Sequence, residues 1–415
     1  MKNVAILFPG QGSQYIGMGK KIYDESDIVK GIYDEASKIL GYDLPELCFK
    51  GDLDELSMTE NVQPAILTAG VAAFRYLQEK FNIEPKFMAG HSLGEITALT
   101  CAGAIKFEDA IKIVKERGRL MQEAVSPENA CMVAVKNIDK EIIEKECRKH
   151  YSDNNVVVVS NYNEPNQLVI SGNRDAVLKV EESLVEKGAY TKQLKVSAAF
   201  HSPLMESASE KFAEELSKYS FDKMQYPVVS NVTALPYTSE KTIINMLKTQ
   251  MVRPVQWEDS MKFLENYGVD IAIDMGPGRV VKGLMRKNSK NIVAYSFEKD
   301  NLDDIKKAIE DDMATEFKHT VVTKCIAVAV CTKNRNSNNE EYEELVVEPY
   351  RKMSMMQEKI ESENREPSVE EMKTALDFMK SIFKGKLVPV EEQNKRYEEI
   401  LEETDTKGLF SEFIK

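Results

Sequence analysis

Lys86-Phe87-Met88-Ala89-Gly90-His91-Ser92-Leu93-Gly94-Glu95 is a short apolar run that breaks at a Gly-x-Ser-x-Gly pattern. A brief apolar run ending in glycine reads as a buried strand, and the amphipathic stretch from Glu95 reads as a helix. A serine on a sharp turn between the two has its hydroxyl lifted out of the sheet. The free N–H groups at the helix start then face any negative charge that develops beside it. The plainer alternative is a serine in an ordinary turn that merely caps the next helix.

The same alternation continues outward from this point. Val4–Phe8 reads as a buried strand and 61–81 as a helix; after Ser202, strands are expected at 227–230, 270–274 and 292–297, separated by helices. Strands alternating with helices imply a parallel sheet covered on both faces. Between the two halves the order changes to strand 132–135, helix 141–150, strands 156–160 and 167–171, helix 175–187 and strand 190–196. That β-α-β-β-α-β series is the ferredoxin-like arrangement, complete in itself and therefore an insertion. The expected fold is α/β, with an α/β-hydrolase-like parallel-sheet large domain made of residues 1–126 and 199–302. A ferredoxin-like small lobe spans 127–198, and a mainly helical C-terminal appendix spans 303–415. Within the appendix the run 321–331 looks strand-like. Ser368-Val369-Glu370-Glu371 is a capping box, followed by an apolar helical stripe of Val369, Met372, Ala375, Leu376, Met379, Ile382 and Phe383.

Across 415 residues, 42% hydrophobic and 30% charged with scattered Gly and Pro, the composition excludes collagen-like and wholly disordered chains. Lys+Arg 55 against Asp+Glu 68 gives a net charge of -13, which argues against nucleic acid or a membrane surface as partner. The N-terminus has too short an apolar stretch for a signal sequence, and no run approaches a membrane span, so a cytoplasmic protein is expected. The six cysteines form no CxxC pair and none has metal-ligand spacing to a histidine, so neither disulfides nor a metal site is expected.

A nucleophilic serine needs a base, and the chain has 4 histidines. His91 adjoins Ser92 and its side chain would point away along the turn. His150 ends a charged helix, and His319 lies among polar residues of the appendix. His201 remains, in a loop where the small lobe returns to the large domain. Gly10-Gln11-Gly12-Ser13-Gln14 follows the first strand, but Tyr15 stands where a dinucleotide fingerprint needs glycine. That loop can instead offer the Gln11 N–H as an oxyanion donor beside the N–H of Leu93.

These stretches, together with Arg117-Gly118, Asn161 to Gly172, Phe200-His201, Asn231-Val232-Thr233, Gln250, Pro254 to Trp257 and Gly276-Pro277-Gly278, resemble one family in one order. Over residues 1–297 the sequence is similar to the malonyl-CoA:acyl-carrier-protein transacylases of fatty-acid and polyketide synthesis. The resemblance implies that Ser92, deprotonated by His201, takes a malonyl group from malonyl-CoA. Coenzyme A leaves, and the phosphopantetheine thiol of an acyl carrier protein accepts the group, with no cofactor beyond the substrate. It implies that Arg117, which by itself reads as part of a solvated helix face, clamps the acyl carboxylate. The backbone carbonyl of Gln250 would orient His201, and Asn161 and Asn231 would shape the pocket. Phe200 would crowd an α-substituent and disfavour methylmalonyl. Because the chain is acidic, an acidic carrier needs a local basic patch, for which Arg286 and Lys287 are the candidates. The rival enzyme is an acyl hydrolase using the same serine and histidine on carrier-bound acyl groups. Arg117 speaks against it, since neutral acyl chains gain nothing from a buried cation. For the appendix, two roles stay open: a buttress for the enzyme, or a docking element for a synthase partner.

Overall fold

The computed structural model describes residues 2–81, 83–126, 128–194, 198–310, 320–336, 338–363, 365–404 and 406–414. The chain divides into two compact units, one of residues 1–265 and 269–312, the other of 266–268 and 313–415.

Among the described residues the first unit holds ten strands, in chain order β1 (Val4–Phe8), β2 (Phe87–Gly90), β3 (Ala130–Lys136), β4 (Val157–Glu164), β5 (Gln167–Asn173), β6 (Tyr190–Gln193), β7 (Val228–Val229), β8 (Val255–Gln256), β9 (Ile271–Asp274) and β10 (Val293–Ser296). Five form a parallel sheet in the order β10-β9-β1-β2-β7. The central strand β1 is buried along its whole length, as a strand covered by helices on both faces must be. Register sets Phe8 opposite Gly90, so the loops leaving β1 and β2 emerge side by side at the carboxyl edge. In open α/β sheets that edge is where ligands bind.

The other five strands run in the order β6-β3-β5-β4-β8. β3 to β6, with helices Lys140–His150 and Arg174–Glu186, form an antiparallel sheet around an apolar core that includes Val133, Val135, Ile143, Leu168, Ile170, Val177 and Val180. The short strand β8, contributed from far along the chain, runs parallel to β4 and sets Val255 opposite Asn161. Of the strand expected at 190–196, residues 195–197 lie outside the described residues.

The second unit is helical and closes a core of its own, from Val321 through Met353, Leu376, Phe383 and Ile400 to Phe413. One expectation is overturned here: Val321–Cys331 is a helix, not a strand. Its near-continuous apolar run hides the period, but the buried positions Val321, Val322, Cys325, Ile326 and Ala329 recur at helical spacing. Packing on neighbouring helices overrides the β-branched preference. Thr320 Oγ1 caps its start by accepting the Thr323 N–H, and Lys386 Nζ donates to Ala329 O and Thr332 O at its end. At Ser368 the capping box forms, with Ser368 Oγ accepting the Glu371 N–H at 3.2 Å and the Glu371 carboxylate accepting the Ser368 N–H at 2.8 Å. The stripe behind it buries Ala375, Leu376, Met379, Ile382 and Phe383, whereas Val369 at the helix start is exposed. Among the described residues no helix is long and apolar enough to cross a membrane, and no cluster of side chains could hold a metal ion.

Candidate active site

The turn after β2 is a backbone-on-backbone crossing. A Cβ on Gly90 would fall 1.9 Å from the carbonyl of Gly94, and one on Gly94 would fall 2.1 Å from Phe8 O. Glycine at both places lets the strand, the turn and the helix Leu93–Cys101 pass each other. Ser92 between them is held at φ 53° and ψ -104°, a conformation that costs a residue with a side chain about 1–3 kcal/mol. Three hydrogen bonds hold it there. Asn231 Oδ1 accepts the Ser92 N–H at 2.6 Å, Asn231 Nδ2 donates to Gly90 O at 2.7 Å, and Gln250 Nε2 donates to Ser92 O at 3.0 Å. The His91 N–H donates to Phe8 O at 2.9 Å, which ties the turn to the end of β1 and hence to the loop carrying Gln11.

His201 meets Ser92 from the loop before helix Glu206–Leu216, with Nε2 2.8 Å from Ser92 Oγ and Nδ1 2.7 Å from Gln250 O. A carbonyl oxygen can only accept, so Nδ1 carries the proton and the lone pair of Nε2 faces the serine hydroxyl. His201 also has a positive φ, 56°. The pair is therefore drawn from the strained backbone positions of the chain. Burial, reinforced by the nearby Arg117 cation and opposed by the Gln250 carbonyl, pushes the His201 pKa down to about 3. A lowered pKa keeps the ring neutral, and so able to take a proton, well below the usual imidazole range. The expected consequence is that kcat/KM for acyl transfer shows no acidic limb near pH 6.5 and stays level as pH falls from 8 to about 5. A rate profile that halves near 6.5 would contradict this placement of His201.

Arg117 is not on a solvated face. It is 1% exposed, because Gly118 brings helix Phe107–Glu123 against helix Thr59–Lys80 so closely that a Cβ there would lie 2.4 Å from Thr59 O. Its Nη1 donates to Gln63 Oε1 at 2.9 Å, and its Nη2 donates to Gln250 Oε1 at 2.8 Å and to Ser92 Oγ at 3.2 Å. Its Nε is buried without a hydrogen-bond partner among the described residues. Burial holds its pKa down to about 10, with Glu95 opposing, so it remains a cation at neutral pH.

The remaining candidates are placed differently. Leu93 opens the helix after Ser92, and Gln11 lies in the turn that follows β1. Phe200 is buried in the main core beside His201. Asn231 holds the elbow backbone, as above, and Asn161 accepts a hydrogen bond from Ser160 Oγ. Its neighbour on β4, Asn163, reaches the elbow instead: Asn163 Oδ1 is 2.8 Å from His91 Nε2, and the ring of His91 lies against Trp257 with centroids 5.4 Å apart. Arg286 and Lys287 are exposed in the last turn of helix Val280–Asn288. Asn288, the final residue of that helix, donates to Asn163 O at 2.8 Å. His150 ends its helix with Nε2 3.9 Å from Glu146 Oε2, and His319 lies outside the described residues.

Sequence reasoning passed over Gln63, Glu95, Asn163 and Tyr237. Two of them left a trace. Gln63 interrupts the apolar face of a long buried helix, and Glu95 is the lone charge in Leu93–Cys101, a helix buried at every position.

Comparison with known proteins places this geometry in a family. Residues 6–290 match the model of the acyl transferase domain. A Bacillus subtilis protein named malonyl CoA-acyl carrier protein transacylase is 36% identical over 395 residues, covering 95% of this chain and 99% of its own. That match therefore runs on through most of the C-terminal helical unit. The solved malonyl CoA-acyl carrier protein transacylase of Coxiella burnetii is 37% identical, covering 71% of this chain and 94% of its own, with a TM-score of 0.70. A malonyl-transacylase solved in complex with a type II PKS acyl-carrier protein is 37% identical, covering 74% of this chain and all of its own, with a TM-score of 0.71. A serine elbow facing a buried histidine, on a sheet and in a sequence that both align with these enzymes, leads to one assignment: the chain belongs to the acyl transferase domain family.

Proposed function

We propose that this protein transfers a malonyl group from malonyl-CoA, through an ester on Ser92, to the phosphopantetheine thiol of an acyl carrier protein. The observation that carries the choice of acyl group is Arg117. A desolvated guanidinium 3.2 Å from the nucleophile, with amide oxygens but no carboxylate on its fork among the described residues, is built for a substrate that brings its own negative charge. The malonyl-transacylase solved with its acyl-carrier protein, whose whole chain aligns here, is named for such a group.

In the first half-reaction His201 Nε2 takes the Ser92 hydroxyl proton as Oγ attacks the thioester carbon. The oxyanion is met by the N–H groups of Leu93 and Gln11, and the C–S bond breaks as the proton passes from His201 to the departing thiolate. The second half runs in reverse with the carrier thiol as nucleophile, which returns Ser92 to its free form. Ping-pong kinetics, with parallel double-reciprocal lines for malonyl-CoA and carrier protein, test the scheme; intersecting lines would contradict it. Phe200, buried beside the base, is the residue expected to disfavour an α-substituted acyl group.

The carrier is acidic in this reading, and Arg286 and Lys287 receive it. Support comes from their exposure at the end of a helix whose last residue contacts Asn163, the partner of His91 beside the nucleophile. Reversing both to Glu is expected to raise KM for the carrier protein severalfold, more at low salt, and to leave KM for malonyl-CoA unchanged. Parallel movement of both constants would remove the patch from the docking site. Contact between the C-terminal helical unit and a synthase partner belongs to the same proposal. Its support is that the unit closes its own core, while every group assigned to the reaction comes from residues 11–287.

A further inference from the structure

Glu95 is fully buried one helical turn beyond Ser92, and its carboxylate accepts from each of its hydrogen-bond partners among the described residues, with the Ser230 hydroxyl also facing it. Tyr237 Oη donates to Oε1 at 2.5 Å, and Gln250 Nε2 and the Asn231 N–H donate to Oε2 at 2.6 and 3.1 Å. Neither an amide NH₂ nor a backbone N–H can accept a proton, so this set of partners suits an ionised carboxylate. Burial is the largest influence and leaves its pKa raised above the usual carboxylate value, while the hydrogen bonds from Tyr237, Gln250, Asn231 and Ser230 oppose it and favour the ionised form.

The amide of Gln250 has one orientation that satisfies both its neighbours. Arg117 can only donate, so Oε1 faces it; the Glu95 carboxylate can only accept, so Nε2 faces that side. Cation, amide and anion thus stand in a row: Arg117, Gln250, Glu95. The Gln250 backbone carbonyl at the same time fixes His201. A carboxylate placed directly on the guanidinium fork would occupy the place of the substrate, and a buried cation with no counter-charge is costly.

We propose that Glu95 is a positioning residue and the counter-charge of Arg117, acting through the Gln250 amide so that the guanidinium stays compensated yet open to the substrate carboxylate. This rests on the acyl-transfer reading of the site. It has a kinetic signature. The negative charge of Glu95 offsets the repulsion between Arg117 and the imidazolium formed during transfer, and it mildly repels the malonyl carboxylate. Removing the charge should therefore slow the chemistry of every acyl group, while tightening the binding of acyl groups that carry a carboxylate.

Glu95→Gln is the variant of choice, because its amide oxygen can accept from Gln250 and Asn231 while its NH₂ donates to the rotated Tyr237 hydroxyl. In the full chain, with malonyl-CoA and acetyl-CoA as donors, kcat should fall about tenfold for both, and KM should fall for malonyl-CoA alone. Unchanged kinetics would overturn the proposal. So would equal increases in KM for both donors, which a merely structural role produces. Should this variant not fold, Tyr237→Phe replaces it. Loss of one donor makes the carboxylate easier to protonate, with Arg117 and His201 the other charged and titratable groups facing the cluster. The ratio of kcat at pH 8 to kcat at pH 6 should then exceed that of the unmodified enzyme severalfold, and an unaltered ratio overturns the proposal. Transfer by the unmodified enzyme is the control. If it is absent, the acyl-transfer reading fails; if it is present while the variants behave as in the overturning outcomes, only the role of Glu95 fails.

Discussion

Incubated with malonyl-CoA and examined by intact mass, the Ser92→Ala protein is expected to remain unmodified, whereas the unmodified sequence accumulates a malonyl ester. The reason is local. Among the groups within hydrogen-bond reach of His201 Nε2 and Arg117 Nη2, the Ser92 hydroxyl is the one that can attack a thioester. The substitution removes one oxygen at a position whose backbone is held by Asn231 and Gln250, so the fold should survive and the melting temperature should stay close to that of the parent. His201→Ala keeps the nucleophile but loses its base, and acylation should slow by roughly 10²–10⁴-fold. A malonyl adduct on the Ser92→Ala protein would show that another residue carries the acyl group.

Arg117→Ala carries the second large effect, and its value lies in what it spares. A charge-assisted contact to a carboxylate is worth about 1.5–3 kcal/mol, so kcat/KM for malonyl-CoA should drop by about 10–100-fold. Acetyl-CoA has no carboxylate and should be used as well as before or better. The substitution leaves the side-chain oxygens of Gln63 and Gln250 without a donor, so some loss of thermal stability is expected as well. The ratio of malonyl to acetyl transfer separates the two effects, because destabilisation lowers both activities together. Equal losses for the two donors would make Arg117 a structural residue.

Much of the architecture could be read from the chain because its signals are local. A five-residue apolar strand, a glycine-flanked serine and the alternation between them fix the parallel sheet, and the β-α-β-β-α-β order marks the second sheet. Val321–Cys331 was illegible for the opposite reason: in an uninterrupted apolar run the helical and strand periods look alike, and packing on neighbouring helices decides. The two-residue strand β8 is likewise too short to carry a pattern, yet it joins β4 and, through the Gln256 N–H on Asn231 O, links the second sheet to the residue that holds the elbow.

The site divides along the same line. Ser92 announces itself by the glycines around it, and His201 by the scarcity of histidines. Arg117 looked like a solvated helix face from its neighbours Lys115, Glu116 and Arg119. Its burial depends on Gly118 and on a helix some fifty residues away, which no local pattern contains. Gln63, Asn163 and Tyr237 act through long-range hydrogen bonds and cannot be found by spacing. Asn161, singled out by resemblance, bonds to Ser160, while Asn163 bonds to His91 from a point where the register of β4 against β5 shifts, a local irregularity that spacing does not reveal.

The most direct test of the account is the intact mass of a phosphopantetheinylated acyl carrier protein after incubation with this enzyme and malonyl-CoA. The expected result is a carrier bearing one malonyl group, with release of one equivalent of coenzyme A and no transfer by the Ser92→Ala protein. An unmodified carrier with free malonate and coenzyme A accumulating would contradict the account and make the protein a hydrolase.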